Sequence, residues 1–259
     1  MSAGSNTRPI DHPTATFFEL ASSVDALIVD DRFLNRHPHI DIGEGALRPI
    51  RSSLDLLQDM YTAGNLSADQ LGEVLTRLRR GGFVLVPASK EEIRSRIASA
   101  EVVDGRLAET AELRAIRESF ERIRMTDILQ LPAEAAWLDD MHRALIGAIR
   151  SQWIDTADVE LAQARSDWLL DLFDIRGWAH RAVPEAGDAA MRYRAQVLVL
   201  TNAPELSEEM RLHYLQWLEN RVLARYRDEN PEDYAALRMM IMDVIEQTAL
   251  NAQGEDQDD

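Results

Sequence analysis

This chain of 259 residues contains no cysteine. Disulfides, thiolate zinc sites, iron–sulfur clusters and cysteine nucleophiles are therefore excluded by inventory, and nothing calls for an oxidising compartment. Lys90 is the one lysine, all other basic side chains being arginine. No stretch approaches the roughly 20 consecutive apolar residues of a membrane-spanning helix. The polar start, Met1 to Pro13, has no signal-peptide core. The expectation is a cytoplasmic protein with no membrane association. Glycine-rich phosphate loops, a Gly-x-Ser-x-Gly elbow and a His-Glu-x-x-His pair are also missing, so those enzyme classes lose their usual support.

What is present is enough apolar matter, 46% of residues, to build a core in one large domain or two small ones. Basic residues number 28 and acidic residues 45, a net charge of −17. Residues 1–97 hold 11 basic and 13 acidic groups, which leaves 17 and 32 for residues 98–259. An excess of 15 negative charges over the second part disfavours RNA or DNA there, because phosphate binding rests on Lys and Arg.

Residues 1–13 read as a flexible leader, and Thr14 to Ser22 as a short helix. Asp25-Ala-Leu-Ile-Val-Asp-Asp31 is a brief apolar run closed by two acids, the pattern of a buried strand with Asp30 and Asp31 at its end. Arg48 to Ala63 has helical spacing at Ile50, Leu54, Leu57 and Tyr61, with Gly64 as its stop. Ser67 suits the N-cap of a second helix reaching Arg80, broken by Gly81-Gly82. Phe83-Val-Leu-Val86 reads as the second strand. Beyond Lys90 the pattern predicts helices only, at about 105–125, 133–155, 157–175, 186–201, 205–229 and 231–250. Pro132 and Pro231 suit first-turn positions, Thr156 can cap the next helix, and Gly177 and Pro184 interrupt the pattern. The last residues, 251–259, read as a disordered acidic tail. The predicted fold is mainly α, with a small α/β segment of two or so strands over 14–97 and an all-helical bundle or short solenoid over 98–250.

The order of elements after Leu27-Ile-Val-Asp30-Asp31-Arg32 resembles the C-terminal part of PIN-type, nuclease-like domains. The resemblance covers residues 24–97 and rests on the acidic pair, Ser52 or Ser53 at the next helix start, Gly64-Asn65-Leu66, and Arg80-Gly81-Gly82-Phe83. A narrower likeness is to bacterial PIN domains that accompany tetratricopeptide and Gre-factor-like modules and continue into a helical region. The resemblance implies a catalytic group of Asp30, Asp31 and Ser53, with Mg²⁺ or Mn²⁺ held by Asp30 and Asp31. Such hard cations prefer oxygen ligands and activate water against a phosphodiester. The resembled family adds carboxylates from an earlier strand and helix, for which Asp11 and Glu19 are the nearest candidates. A partner chain or an upstream segment is expected to complete the site. Three readings follow: a PIN-like protein acting mainly through protein contacts, a non-catalytic helical scaffold, and a divalent-metal ribonuclease. A protein partner or homo-oligomer is expected in the first two.

Asp31 also has a plain alternative role, since it precedes Arg32-Phe-Leu-Asn and can cap a helix there. His37-Pro38-His39 with Asp41 has metal-binding residue types but no fixed geometry. Asp139-Asp140-Met-His142 puts acids and a histidine within one turn but lacks the Glu-x-x-His pattern of diiron sites. Trp137, Trp153, Trp168, Trp178 and Trp217 fall at helical spacing and are read as packing residues rather than base-stacking platforms. Trp168 to Trp178 is the densest apolar cluster, suited to central packing or to docking another protein.

Overall fold

The computed structural model describes residues 20–43, 45–125, 132–173, 194–195, 197–202, 205–229 and 231–255, with backbone alone at 124, 132–135, 173 and 244–255. The fold is mainly α with a small α/β segment near the N-terminus. The chain divides into two compact units, Met1–Glu73 and Val74–Asp259.

The first unit is built on three short strands. β1 (Leu27–Ile28) runs parallel to β3 (Leu47–Arg51), and β2 (His39–Asp41) lies antiparallel on the other side of β3. Leu27 pairs with Ile50, and Ile40 with Arg48. One face carries the small core of Ala21, Leu27 and Ile40, against which Val24, Val29, Ile42 and Ile50 pack. The expected helix from Arg48 is corrected here, because its first residues are the central strand. Pro49 has no N–H to give, and the pairing with β1 begins one residue later at Ile50. Helix α2 (Ser53–Thr62) starts only after Ser52, which forms a capping box with Asp55. Between β1 and β2 lies a single helical turn, α1 (Arg32–Asn35). Helix α3 (Ala68–Arg80) opens on Ser67 as expected, whose hydroxyl accepts from the Gln70 N–H while the Gln70 side chain accepts from the Ser67 N–H. The unit boundary falls within α3.

In the second unit the expected strand at Phe83–Val86 does not form. The chain turns at Leu85, whose φ of 59° breaks an extended run. Val86 is thereby buried while Val84 and Leu85 pack on the core. Helix α4 (Lys90–Ala98), capped by Ser89, follows. Two further strands, β4 (Val102–Val103) and β5 (Arg106–Leu107), form a hairpin where only helix was expected. Asp104 and Gly105 both have positive φ, 51° and 70°, the geometry of a tight hairpin turn whose twist matches its strands. Helix α5 (Ala111–Met125) consequently begins later than predicted.

Helices α6 (Pro132–Asp155) and α7 (Val159–Phe173) are the centre of this unit, with α4 on α6 and α5 on α4. Both prolines stand at first-turn positions as predicted, Pro132 opening α6 and Pro231 opening α10 (Pro231–Glu255). Thr156 does not cap α7: its hydroxyl accepts from the Asp158 N–H, and Asp158 accepts from the Leu161 N–H. The predicted 205–229 helix is one rod of α8 (Glu208–Trp217), a π-helical segment (Leu218–Leu223) and α9 (Ala224–Glu229). Residues 194–195 and 197–201 are helical, while 186–193 and 196 of the 186–201 prediction, the leader at 1–13 and the positions Gly177, Trp178 and Pro184 lie outside the described residues. Helix α10 includes residues 251–255, expected in the tail, and 256–259 lie outside the described residues.

Trp137, Trp153 and Trp217 are buried and Trp168 packs at the core margin, as the packing reading requires. Trp153, Tyr214 and Trp217 meet with ring centroids 5.4–5.9 Å apart, favourable aromatic geometry. Burial pushes the Tyr214 hydroxyl far above its ordinary titration range, so it stays a donor to the Leu200 carbonyl. The dense 168–178 cluster packs centrally as far as it is described, with Leu169, Leu170 and Leu172 buried.

One charge lies deep in this unit. Arg79 is 2% exposed and sends Nη1 and Nη2 to Glu92 at 2.6 and 2.9 Å, with a further bond to the Pro87 carbonyl. Removing one partner of a buried pair strands the other's charge. Glu92→Ala is expected to destabilise the helical unit by about 3 kcal/mol in urea denaturation followed by tryptophan fluorescence.

A second polar hub is acid-sensitive. Glu109 accepts from Arg117 at 2.6 and 3.1 Å and from Trp168 Nε1 at 2.9 Å. Burial pushes its pKa up, but the Arg117 and Trp168 bonds and the charges of Arg117 and Arg114 outweigh that and hold it below the ordinary carboxylate value. A lowered folded pKa gives stability that is complete above the unfolded value and is lost as pH falls through the folded one. Lowering pH from about 6 to about 3 should depress the thermal midpoint of the wild type more steeply than that of Glu109→Gln.

Candidate functional site

The sites of interest gather where parallel strands end. Asp30 and Asp31 follow β1, and Ser52 and Ser53 follow β3 at the start of α2. The parallel pairing therefore brings residues 23 positions apart into one place. The Ser53 N–H donates to Asp30 Oδ1 at 2.8 Å and the Ser53 hydroxyl to Asp30 Oδ2 at 2.7 Å. Ser53 N–H belongs to the first turn of α2, whose amides have no partner within the helix. Asp30 is thus a cap delivered from another strand, its negative charge at the positive helix end.

Asp31 turns to a different helix. Its Oδ1 accepts from the Leu34 N–H at 2.9 Å, making it the N-cap of α1. The capping role weighed for it in the sequence is the one observed. Ser52 caps α2 through the Asp55 N–H at 3.1 Å, and its own N–H and hydroxyl go to Asp55 Oδ2 at 2.7 and 2.8 Å. Of the three implied catalytic residues, Asp30 and Ser53 are joined directly, while Asp31 binds elsewhere.

Compared with protein-family models, with curated proteins and with solved structures, the chain matches none.

The donor set decides how far these residues suit a divalent cation. Mg²⁺ and Mn²⁺ require several oxygen ligands. Both Asp30 oxygens and one Asp31 oxygen already accept hydrogen bonds, and among the described residues no cluster of three or more His, Asp or Glu side chains could hold an ion. Asp30 and Asp31 alone do not fit the multi-carboxylate centre that the resemblance implies. Asp11 and Glu19 lie outside the described residues.

Among the described residues the other acid–histidine groups form no cluster of three possible metal ligands. His39 and Asp41 lie in β2, His37 Nε2 accepts from Arg36 Nε at 2.9 Å, and Asp41 accepts from the Gly43 N–H at 2.8 Å in the turn after the strand. Asp140 is exposed and paired with Arg143, whereas His142 is buried.

The resemblance groups Asp30 with Ser53, whereas the helical reading of residues 48–51 hides the strand pairing that joins them. The available signal was Pro49 followed by Ser52-x-x-Asp55, a helix start three or so residues beyond a proline. Asp30→Ala should loosen the start of α2 by about 1–2 kcal/mol, read as roughly tenfold faster hydrogen exchange of its amides. Asp30→Asn should recover part of the loss.

Proposed function

We propose that this chain works mainly through protein contacts, its first unit a PIN-like, nuclease-derived module and its second a helical scaffold. The observation that carries the reading is the apolar surface of the small unit: Ile28, Phe33 and Leu47 are 53%, 59% and 55% exposed. Two of these, Ile28 and Leu47, belong to a three-stranded sheet whose edge strands are only two and three residues long. Exposed apolar side chains on so small a unit favour association with another chain. The commitment of Asp30 and Asp31 to helix caps supports the same reading, since side chains engaged in fastening the fold are poorly placed to ligate metal. Phosphodiester cleavage with Mg²⁺ or Mn²⁺ would require further carboxylates from a partner or from residues outside those described.

No described helix is long and apolar enough to cross a membrane. The charge of the whole chain, −17, favours a protein partner over RNA, which it would repel.

The test compares Phe33→Ser/Leu47→Ser with Asp30→Asn in two assays, capture of cross-linked partners and sedimentation of the purified chain. The contact reading expects the apolar variant to lose a specific partner, or self-association, that Asp30→Asn retains. Manganese-dependent cleavage of RNA by the wild type that vanishes in Asp30→Asn would sink it in favour of the ribonuclease.

A further inference from the structure

Helix α8 buries one face and leaves the opposite one bare. Met210, Tyr214 and Trp217 enter the core, at the four- and three-residue steps that mark one side of a helix. Leu212 and Leu215, 65% and 41% exposed, align by the same rule on the other side. Glu208, four residues before Leu212, continues their row toward the helix start, with Glu205 and Glu209 beside it, all three exposed. Among the described residues none of these three carboxylates carries an ion pair or a hydrogen bond to another side chain.

The aromatic group holds the leucines outward. Tyr214 donates to the Leu200 carbonyl and meets the Trp153 ring edge-on, which fixes the rotation of α8 about its own axis. Ile154, next to Trp153, and Val199, next to Leu200, are exposed as well. Two leucines one turn apart on a fixed helix form the anchor pattern that an amphipathic helix of another chain meets. The charges set the sign of that chain. Residues 98–259 hold 17 basic and 32 acidic groups, so this part of the molecule repels RNA and anionic membranes and attracts cations. A second copy is disfavoured too: antiparallel pairing over the leucines would set Glu208 of each copy against Glu219 of the other, and like charges across a contact cost affinity.

We propose that this face of α8 docks a basic amphipathic helix of a protein partner. Apolar side chains of that helix lie on Leu212 and Leu215, and its Lys or Arg side chains meet Glu205, Glu208 and Glu209. The proposal carries the protein-contact reading into the second unit and rests on residues distinct from the first-unit surface of Ile28, Phe33 and Leu47.

The experiment titrates the full chain into a fluorescent synthetic peptide of leucine and lysine, about 14 residues and so roughly 20 Å of helix, with its leucines on one face. A peptide of the same composition in scrambled order keeps the charge and loses that face. Binding is read by fluorescence anisotropy at about 0.15 M salt, where long-range attraction between exposed charges is largely screened. The expected result is saturable binding of the amphipathic peptide, about tenfold weaker in Leu212→Ser/Leu215→Ser, weakened in Glu208→Gln/Glu209→Gln, and unchanged in Phe33→Ser/Leu47→Ser. All four substituted side chains in the second unit are exposed, and an unaltered thermal midpoint checks that each variant folds. No binding, equal binding of the scrambled peptide, or binding that persists in Leu212→Ser/Leu215→Ser would overturn the proposal. Self-association of the wild type that the same leucine variant abolishes would overturn it in favour of a second copy. Loss of peptide binding in Phe33→Ser/Leu47→Ser alone would place the contact on the first unit instead.

Discussion

Burying helix α6 on more than one side is the constraint that organises the larger unit. From Trp137 to Trp153 its buried positions include Leu138, Met141, Ala144, Leu145, Ile146, Ala148 and Ile149, far wider than the single stripe of a surface helix. Neighbours must approach from several directions, and α4, α7 and the aromatic group of α8 do so. Two buried polar side chains on this helix bond to its own backbone, Ser151 to the Gly147 carbonyl at 2.9 Å and Gln152 to that of Ala148 at 3.1 Å. Gly147, costly in mid-helix, has a steric reason. A Cβ there would meet the side chain of Lys90 at 2.9 Å, so the chain's only lysine rests against the one glycine in α6.

The smaller unit is held by a different kind of economy. Among the described residues its core has three buried apolar side chains, too few to fix geometry by packing alone. Caps take over much of the definition: Asp31 on α1, Ser52 and Asp55 on α2, Ser67 and Gln70 on α3, and Asp30 across from β1 to α2. A unit so dependent on carboxylates and hydroxyls for its local order gives its acids structural work first. This is why strand-end acids, a suggestive pattern in the sequence, prove ambiguous until their partners are known.

Legibility followed physical range. The helices over 132–155, 159–173 and 208–229, the stops at Gly64 and Gly81-Gly82, and the Ser67 cap were readable because each depends on neighbours within a turn or two. Residues 48–51 and 83–86 were misassigned for the same reason in reverse. Ile50 shares helical spacing with Leu54 and Leu57, yet pairing with Leu27 and Ile40 made its segment a strand. Phe83–Val86 has the composition of a strand but no partner strand among the described residues, and the turn at Leu85 buries Val86 instead.

By itself the sequence determined the absence of thiol chemistry, the acidic balance, the helical second part and the presence of paired acids after a short apolar run. These depend on inventory and on periods of a few residues. The tertiary structure alone decided what the acids do: a parallel pairing across 23 residues delivers Asp30 to Ser53, while Asp31, its neighbour in the chain, caps a separate helix. It likewise set Asp167 beside Arg221, 54 residues away. No local pattern encodes such meetings, because they arise from which apolar faces bury one another and only then from the polar groups carried along.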